Sequence, residues 1–210
     1  METSRLCKVA PARGFSLIET LVAMMVLSIG LVALCSLAAQ TMVGTSRSEF
    51  MSLAADLATE KLEDLSRWPT FNTPYSPDPN IYAAAGSTVG DLASDKSANV
   101  TSGGIPTELV NYYDDVEFSD SKGAVSETVS QVVGGVTNWK TTSHNPDGSI
   151  TTSTSTTQTA ADNGAIGFHR RWTIEMDQPV TGLRRITVLV TMENSYLKAP
   201  VTFQMTTVRP

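Results

Sequence analysis

One stretch of the chain limits its fold more than any other. From Phe15 to Ser46 the sequence carries a single charged side chain, Glu19, in a run dominated by Leu, Ile, Val, Met and Ala. A bilayer core takes roughly 20 such residues as a helix, so this segment is long enough to span one. Ahead of it, METSRLCKVAPARG sets Arg5, Lys8 and Arg13 against Glu2, and basic residues before an apolar run favour a cytoplasmic N-terminus. The chain as a whole is acidic, with a formal net charge of -6, which argues against the broad basic footprint of a dedicated nucleic-acid binder. Its two cysteines are Cys7 and Cys35, so everything beyond residue 35 must fold without a disulfide or a thiolate metal site.

An ordinary secretory signal has a shorter apolar stretch, followed by a small-residue cleavage site. Here the informative boundary precedes the apolar run. A cut between Gly14 and Phe15 would remove the basic leader and leave the hydrophobic helix in place as an anchor.

The string Arg13-Gly14-Phe15-Ser16-Leu17-Ile18-Glu19 and the apolar run after it resemble the class III signal of type IV prepilins and type II secretion pseudopilins. The resemblance implies a membrane aspartyl peptidase that cuts after Gly14 and methylates the new N-terminal residue, Phe15. The continuation TLVAMMVLSIGLVALCSLAAQ and the later SLAADLATEKLEDL are most similar to the minor pilins called PilV. The specific part of this resemblance covers about a quarter of the chain.

A carboxylate at depth in hydrocarbon costs a few kcal/mol and is usually kept for a partner. Cleavage would create one, because the amine of Phe15 would lie one helical turn from Glu19. In a filament of staggered parallel helices the carboxylate could instead meet the amine of a neighbouring subunit, offsetting both desolvation costs and fixing register. The plain alternative is a Glu19 that snorkels to the headgroups of a simple anchor. Gly30, Ser36 and Gly44 are small enough to admit a neighbouring helix, and Cys35 reads as a small packing residue.

From Thr45 the apolar positions become periodic. Phe50, Leu53, Ala54, Leu57, Ala58, Leu62, Leu65 and Trp68 recur every three or four residues, with Glu49, Asp56, Glu60, Lys61, Glu63, Asp64 and Arg67 between them. This predicts one amphipathic continuation of the helix, ended by Pro69. A helix from Phe15 to Arg67 would approach about 80 Å, more than a bilayer needs, so its second half must pack on something soluble.

The middle of the chain is less regular. WPTFNTPYSPDP reads as an irregular excursion, 109–113 as a short buried segment, and the acidic string DDVEFSD (114–120) as a solvated loop without the ligand spacing of a calcium site. Asn145-Pro146-Asp147-Gly148, between threonine-rich arms, predicts a mobile, exposed hairpin over 141–159, where adhesion or partner choice could reside. Further on, Trp172, Ile174 and Met176, then Ile186, Val188, Val190 and Met192, then Val201, Phe203 and Met205 alternate with polar residues. That period marks half-buried strands, and the short connectors between them predict an antiparallel meander.

The fold class expected is therefore α+β and pilin-like, a long N-terminal helix with a transmembrane first half packed on a C-terminal antiparallel sheet. Its parts are a cleaved leader (1–14), a transmembrane and filament-core helix (15–44), an amphipathic continuation (45–68) and a globular domain (69–210). No catalytic constellation, cofactor loop or metal cluster is legible. His144 and His169 read as solvated or edge histidines, and Arg170, Arg171, Arg184 and Arg185 as solvated strand residues paired with Glu175 and Asp177. The functional expectation is a minor type IV pilin that starts in the bacterial inner membrane and joins a pilus or its initiating complex. Its partners would be prepilin peptidase, major and other minor pilins and the assembly platform, with nucleic acid not among them. The alternatives are a minor pseudopilin of type II secretion, a single-pass anchored β-domain adhesin, or a tethered enzyme.

Overall fold

A computed structural model describes residues 16–67, 83, 86–100, 108–119, 123–133, 136–158, 165–192 and 200–210. The leader, the Gly14-Phe15 bond, the proline-rich excursion after Arg67 and most of the connector 192–200 lie outside the described residues. The chain divides into two compact units, Met1–Ser46 and Arg47–Pro210, and helix α1, Leu17–Arg67, contributes to both.

In the first unit α1 begins where the Ser16 carbonyl accepts the backbone N–H groups of Glu19 and Thr20, at 3.0 and 3.2 Å. Its apolar side chains, among them Met24, Ile29, Val32 and Leu34, are exposed. Four hydroxyls of this stretch are satisfied inside the helix. Thr20 donates to the Leu17 carbonyl, Ser28 to Met25, Thr41 to Ala38 and Thr45 to Thr41, at 2.8 to 2.9 Å. Such internal bonds let a helix with polar residues lie in hydrocarbon, and α1 is long and apolar enough to cross a membrane.

In the second unit the predicted stripe of α1 is buried. Ala54, Leu57, Ala58, Leu62 and Leu65 form one apolar cluster with strand residues, flanked by Phe50 and Leu53. The strands are β1 (Thr88–Gly90), β2 (Ser97–Val100), β3 (Glu108–Asn111), β4 (Tyr113–Ser119), β5 (Ala124–Val133), β6 (Val136–His144), β7 (Ile150–Ser155), β8 (Ile166–Met176), β9 (Arg184–Met192) and β10 (Thr202–Arg209). The main sheet runs in the order β10-β9-β8-β4-β5-β6-β7, antiparallel throughout, and β2 pairs with β3 in a small second sheet. The long strand β8 shares one edge between two partners, β4 over Ile166–Arg171 and β1 over Thr173–Glu175.

The C-terminal meander is as the alternation predicts. Trp172 lies opposite Val188 and Ile174 opposite Ile186, while Val188 faces Met205 and Val190 faces Phe203. The inward residues of β8 and β9 are buried, with Ile174, Ile186, Val188 and Val190 fully inaccessible. Val110 and Tyr112 are buried too, as the 109–113 reading expects.

The acidic string needs correction. Residues 113–119 are strand β4 rather than a solvated loop, and Asp114 is 1% exposed. The reason is period two. Tyr112, Asp114, Val116 and Phe118 share one face, so Asp114 is carried inward with its apolar neighbours.

The 145–149 turn joins β6 and β7 as a hairpin. The Asn145 N–H donates to the Ser149 carbonyl at 2.9 Å, and Gly148 takes a φ of 82°, which costs a glycine little. All six residues of β7 are exposed, so this arm buries little, as predicted.

Candidate functional site

Glu19, the expected assembly residue, sits in the first turn of α1 with its side chain exposed. A carboxylate there lies at the positive end of the helix dipole, and the helix supplies it no side-chain partner among the described residues. Gly14 and Phe15, the expected cleavage and methylation residues, lie outside the described residues. A Cβ added at Gly30 or Gly44 would meet nothing within 4 Å, so the chain itself imposes no steric need for glycine at either position. The Cys35 thiol is free and exposed.

A second constellation, absent from the sequence reading, lies between α1 and the sheet. Arg170 on β8 donates from Nε and Nη2 to the two carboxylate oxygens of Asp114, at 2.6 and 2.8 Å, and also bonds Glu127 of β5. From α1, Lys61 reaches the same Asp114 at 2.9 Å and holds its ammonium 4.2 Å from the Trp172 ring centroid. Arg170 is 2% exposed, with Glu60 of α1 at 3.9 Å. Burial opposes ionisation of Asp114, but Lys61 and Arg170 outweigh it and hold the carboxyl well below the usual carboxylate range. Burial and the Asp114 charge push Glu127 the other way, upward, against Arg170. Chemically this is a clamp: two cations and two carboxylates, satisfied by one another, tie the helix to three strands.

The opposite face of the sheet carries a smaller cluster. His169 of β8 has Asp115 Oδ1 at 2.5 Å from Nδ1 and Asp95 Oδ1 at 2.8 Å from Nε2. It is 6% exposed, so it is neither solvated nor free at an edge as the sequence suggested. Burial opposes its protonation, yet Asp115 and Asp95 raise the imidazole above its ordinary value. Arg171 donates to the same Asp95 oxygen at 2.7 Å. With both ring nitrogens committed to carboxylates, His169 is a tether for the β1–β2 connector and leaves no nitrogen for a substrate. His144, read from the sequence as solvated or at an edge, is the last residue of β6 and is exposed.

The four arginines therefore do not form one patch. Arg170 and Arg184 are buried, while Arg171 and Arg185 point to the other face. Arg185 pairs with Glu175 at 2.5 and 2.8 Å, as expected. Asp177 instead accepts the backbone N–H groups of Gly86 and Gly182, both at 2.8 Å.

Residues 10–34 match the profile of the family described as "Prokaryotic N-terminal methylation motif". The motif supports a type IV pilin-like protein. It is shared by pilins and pseudopilins, indicates a structural subunit of a typically non-enzymatic kind, and implies processing by a prepilin peptidase and partners among pilins. With the apolar helix it fits an inner-membrane-anchored pilin, and the long helix and antiparallel sheet are consistent with an α+β pilin-like fold. No curated protein and no solved structure matches the chain significantly.

Proposed function

We propose that this chain is a minor type IV pilin of PilV type. Prepilin peptidase cleaves it after Gly14 and methylates Phe15, and its inner-membrane helix then passes into a pilus or its initiating complex. The observation that carries the reading is the meeting of the methylation motif at residues 10–34 with a helix that runs from Leu17 to Arg67 and changes from an apolar to an amphipathic surface on the way. The first half suits a bilayer or a filament core, and the second half carries the folded β-structure. Glu19, without a side-chain partner in its own helix, would pair with the amine of Phe15, most usefully on a neighbouring subunit. The protein works by assembly, with no chemistry of its own.

Intact mass and N-terminal peptide analysis of the protein from membranes of its host tests this directly. The expected chain begins at Phe15 and carries one extra methyl; a chain still beginning at Met1 beside an active prepilin peptidase overturns the proposal. Glu19→Ala should leave processing intact and reduce incorporation into filaments. The motif serves a type II secretion pseudopilin equally well, and deletion of the gene separates the two by which is lost, surface pili or secretion.

A further inference from the structure

We propose that the outer edge of β7 is a self-association surface, across which two copies of this chain join their sheets. β7 is the terminal strand of the main sheet, and among the described residues no strand lies beyond it. Its sequence, Ile150-Thr-Thr-Ser-Thr-Ser155, has no charge and no proline. Edge strands are usually protected by such residues, by bulges or by a cover, since an open edge offers a row of backbone donors and acceptors to another strand. This edge has a regular, β-favouring threonine pattern instead.

The occupant follows from the side chains. Within the sheet, hydroxyls already pair across strands: Ser126 with Ser143 at 2.7 Å and Thr128 with Thr141 at 3.0 Å. The register continues these rows onto β7, where Thr151 lies opposite Ser143 and Ser153 opposite Thr141. An antiparallel second β7 with Thr151 opposite Ser153 pairs residues 150–154, sets Thr152 against Thr152 of the other copy, and opposes no like charges. Hydroxyl pairs of this kind stabilise a sheet edge only slightly, and a single backbone bond adds little net once water is replaced. Five residues of edge therefore give a weak contact between free molecules. Two copies confined to one bilayer raise each other's effective concentration, so the contact belongs to the anchored protein; in this respect it rests on the membrane reading above.

The test uses full-length protein with Cys7→Ser and Cys35→Ser, reconstituted in lipid vesicles, with flotation reporting anchoring separately. Thr151→Cys and Ser153→Cys variants of distinguishable mass are mixed and exposed to a mild oxidant. The mixture should form the disulfide heterodimer at least tenfold faster than either variant alone, or than Val180→Cys, which sits on an exposed turn and reports random collision. Adding Thr152→Lys to both members, which sets two like charges against each other across the edge, should remove that excess. A mixture that cross-links no faster than Val180→Cys in vesicle-bound protein overturns the proposal, and so does an excess that the lysines leave intact. Failure to float would instead count against the membrane anchor.

Discussion

Replacing Asp114 with alanine tests how the helix is held to the sheet. The substitution removes the single group that receives Arg170 at 2.6 and 2.8 Å and Lys61 at 2.9 Å. Charge-assisted bonds are worth about 1.5–3 kcal/mol each, but these three share one carboxylate and do not sum. The larger effect is what remains: a guanidinium that is 2% exposed, left with Glu127 and the distant Glu60, and a lysine without its nearest counter-charge. Breaking a buried ion pair in this way costs about 3–5 kcal/mol. At about 2–4 °C per kcal/mol for a chain of this size, the melting temperature should fall by roughly 6–20 °C. Urea and thermal unfolding of the full chain in detergent, followed by fluorescence and far-UV dichroism, would measure it. Two further results must accompany the loss. Because the folded Asp114 pKa is strongly depressed, its stabilisation is fully present above the unfolded value near 3.9 and is lost as pH falls through the folded one, so the gap between wild type and variant should begin to narrow below about pH 4 and keep closing in stronger acid. The double variant Asp114→Ala/Arg170→Met should also recover part of the loss, since no guanidinium is then stranded. A single-variant loss below about 1 kcal/mol at pH 7, or a double variant no more stable than Asp114→Ala, would refute the clamp.

His169 titrates with the opposite sign. Its folded pKa is raised by Asp115 and Asp95 against burial, so its contribution is fully present below the unfolded value near 6.5 and is lost as pH rises through the folded one. Asp95, Asp115, Arg171 and the Tyr113 ring at 5.8 Å face the imidazole, and the stability gap between wild type and His169→Gln should narrow steadily with alkalinity in parallel melts. Gly90→Ala should destabilise by more than about 2 kcal/mol in urea: φ is 79° there, itself worth roughly 1–2 kcal/mol, and the new Cβ would lie 2.1 Å from the Trp172 carbonyl oxygen. Gly148→Ala, strained in φ but open in space, should cost only the first part.

Periodicity made most of the framework readable. The stripe at 50–65 and the alternation at 172–176, 186–192 and 201–205 each report one buried face, and those faces meet. The charged cluster was hidden because charge was read as exposure. Its positions were nonetheless in register with the core: Lys61 is four residues from both Leu57 and Leu65, Asp114 is two from Tyr112 and Val116, and Arg170 is two from Phe168 and Trp172. Face parity predicts burial and residue type predicts exposure; parity prevails here because opposite charges converge from three elements and neutralise one another. The His169 tether was less accessible, since Asp95 belongs to a connector whose path across the sheet no local pattern announces. For Glu19 the signal is complete in sequence, because the partner proposed for it belongs to another molecule.

The strand that joins the two ends of the sheet also sets a timetable. β8 accepts β4, β1 and β9, yet it emerges about a hundred residues after the helix whose apolar stripe it covers. At about 5–20 residues per second of synthesis, Leu57, Leu62 and Leu65 wait on the order of ten seconds for Ile174 and Val188, while the hydrophobic front of the same helix is already available to the membrane. The interval is a period of vulnerability to proteolysis and misassociation, and any factor that shelters nascent chains of this protein has residues 50–65 as its natural hold.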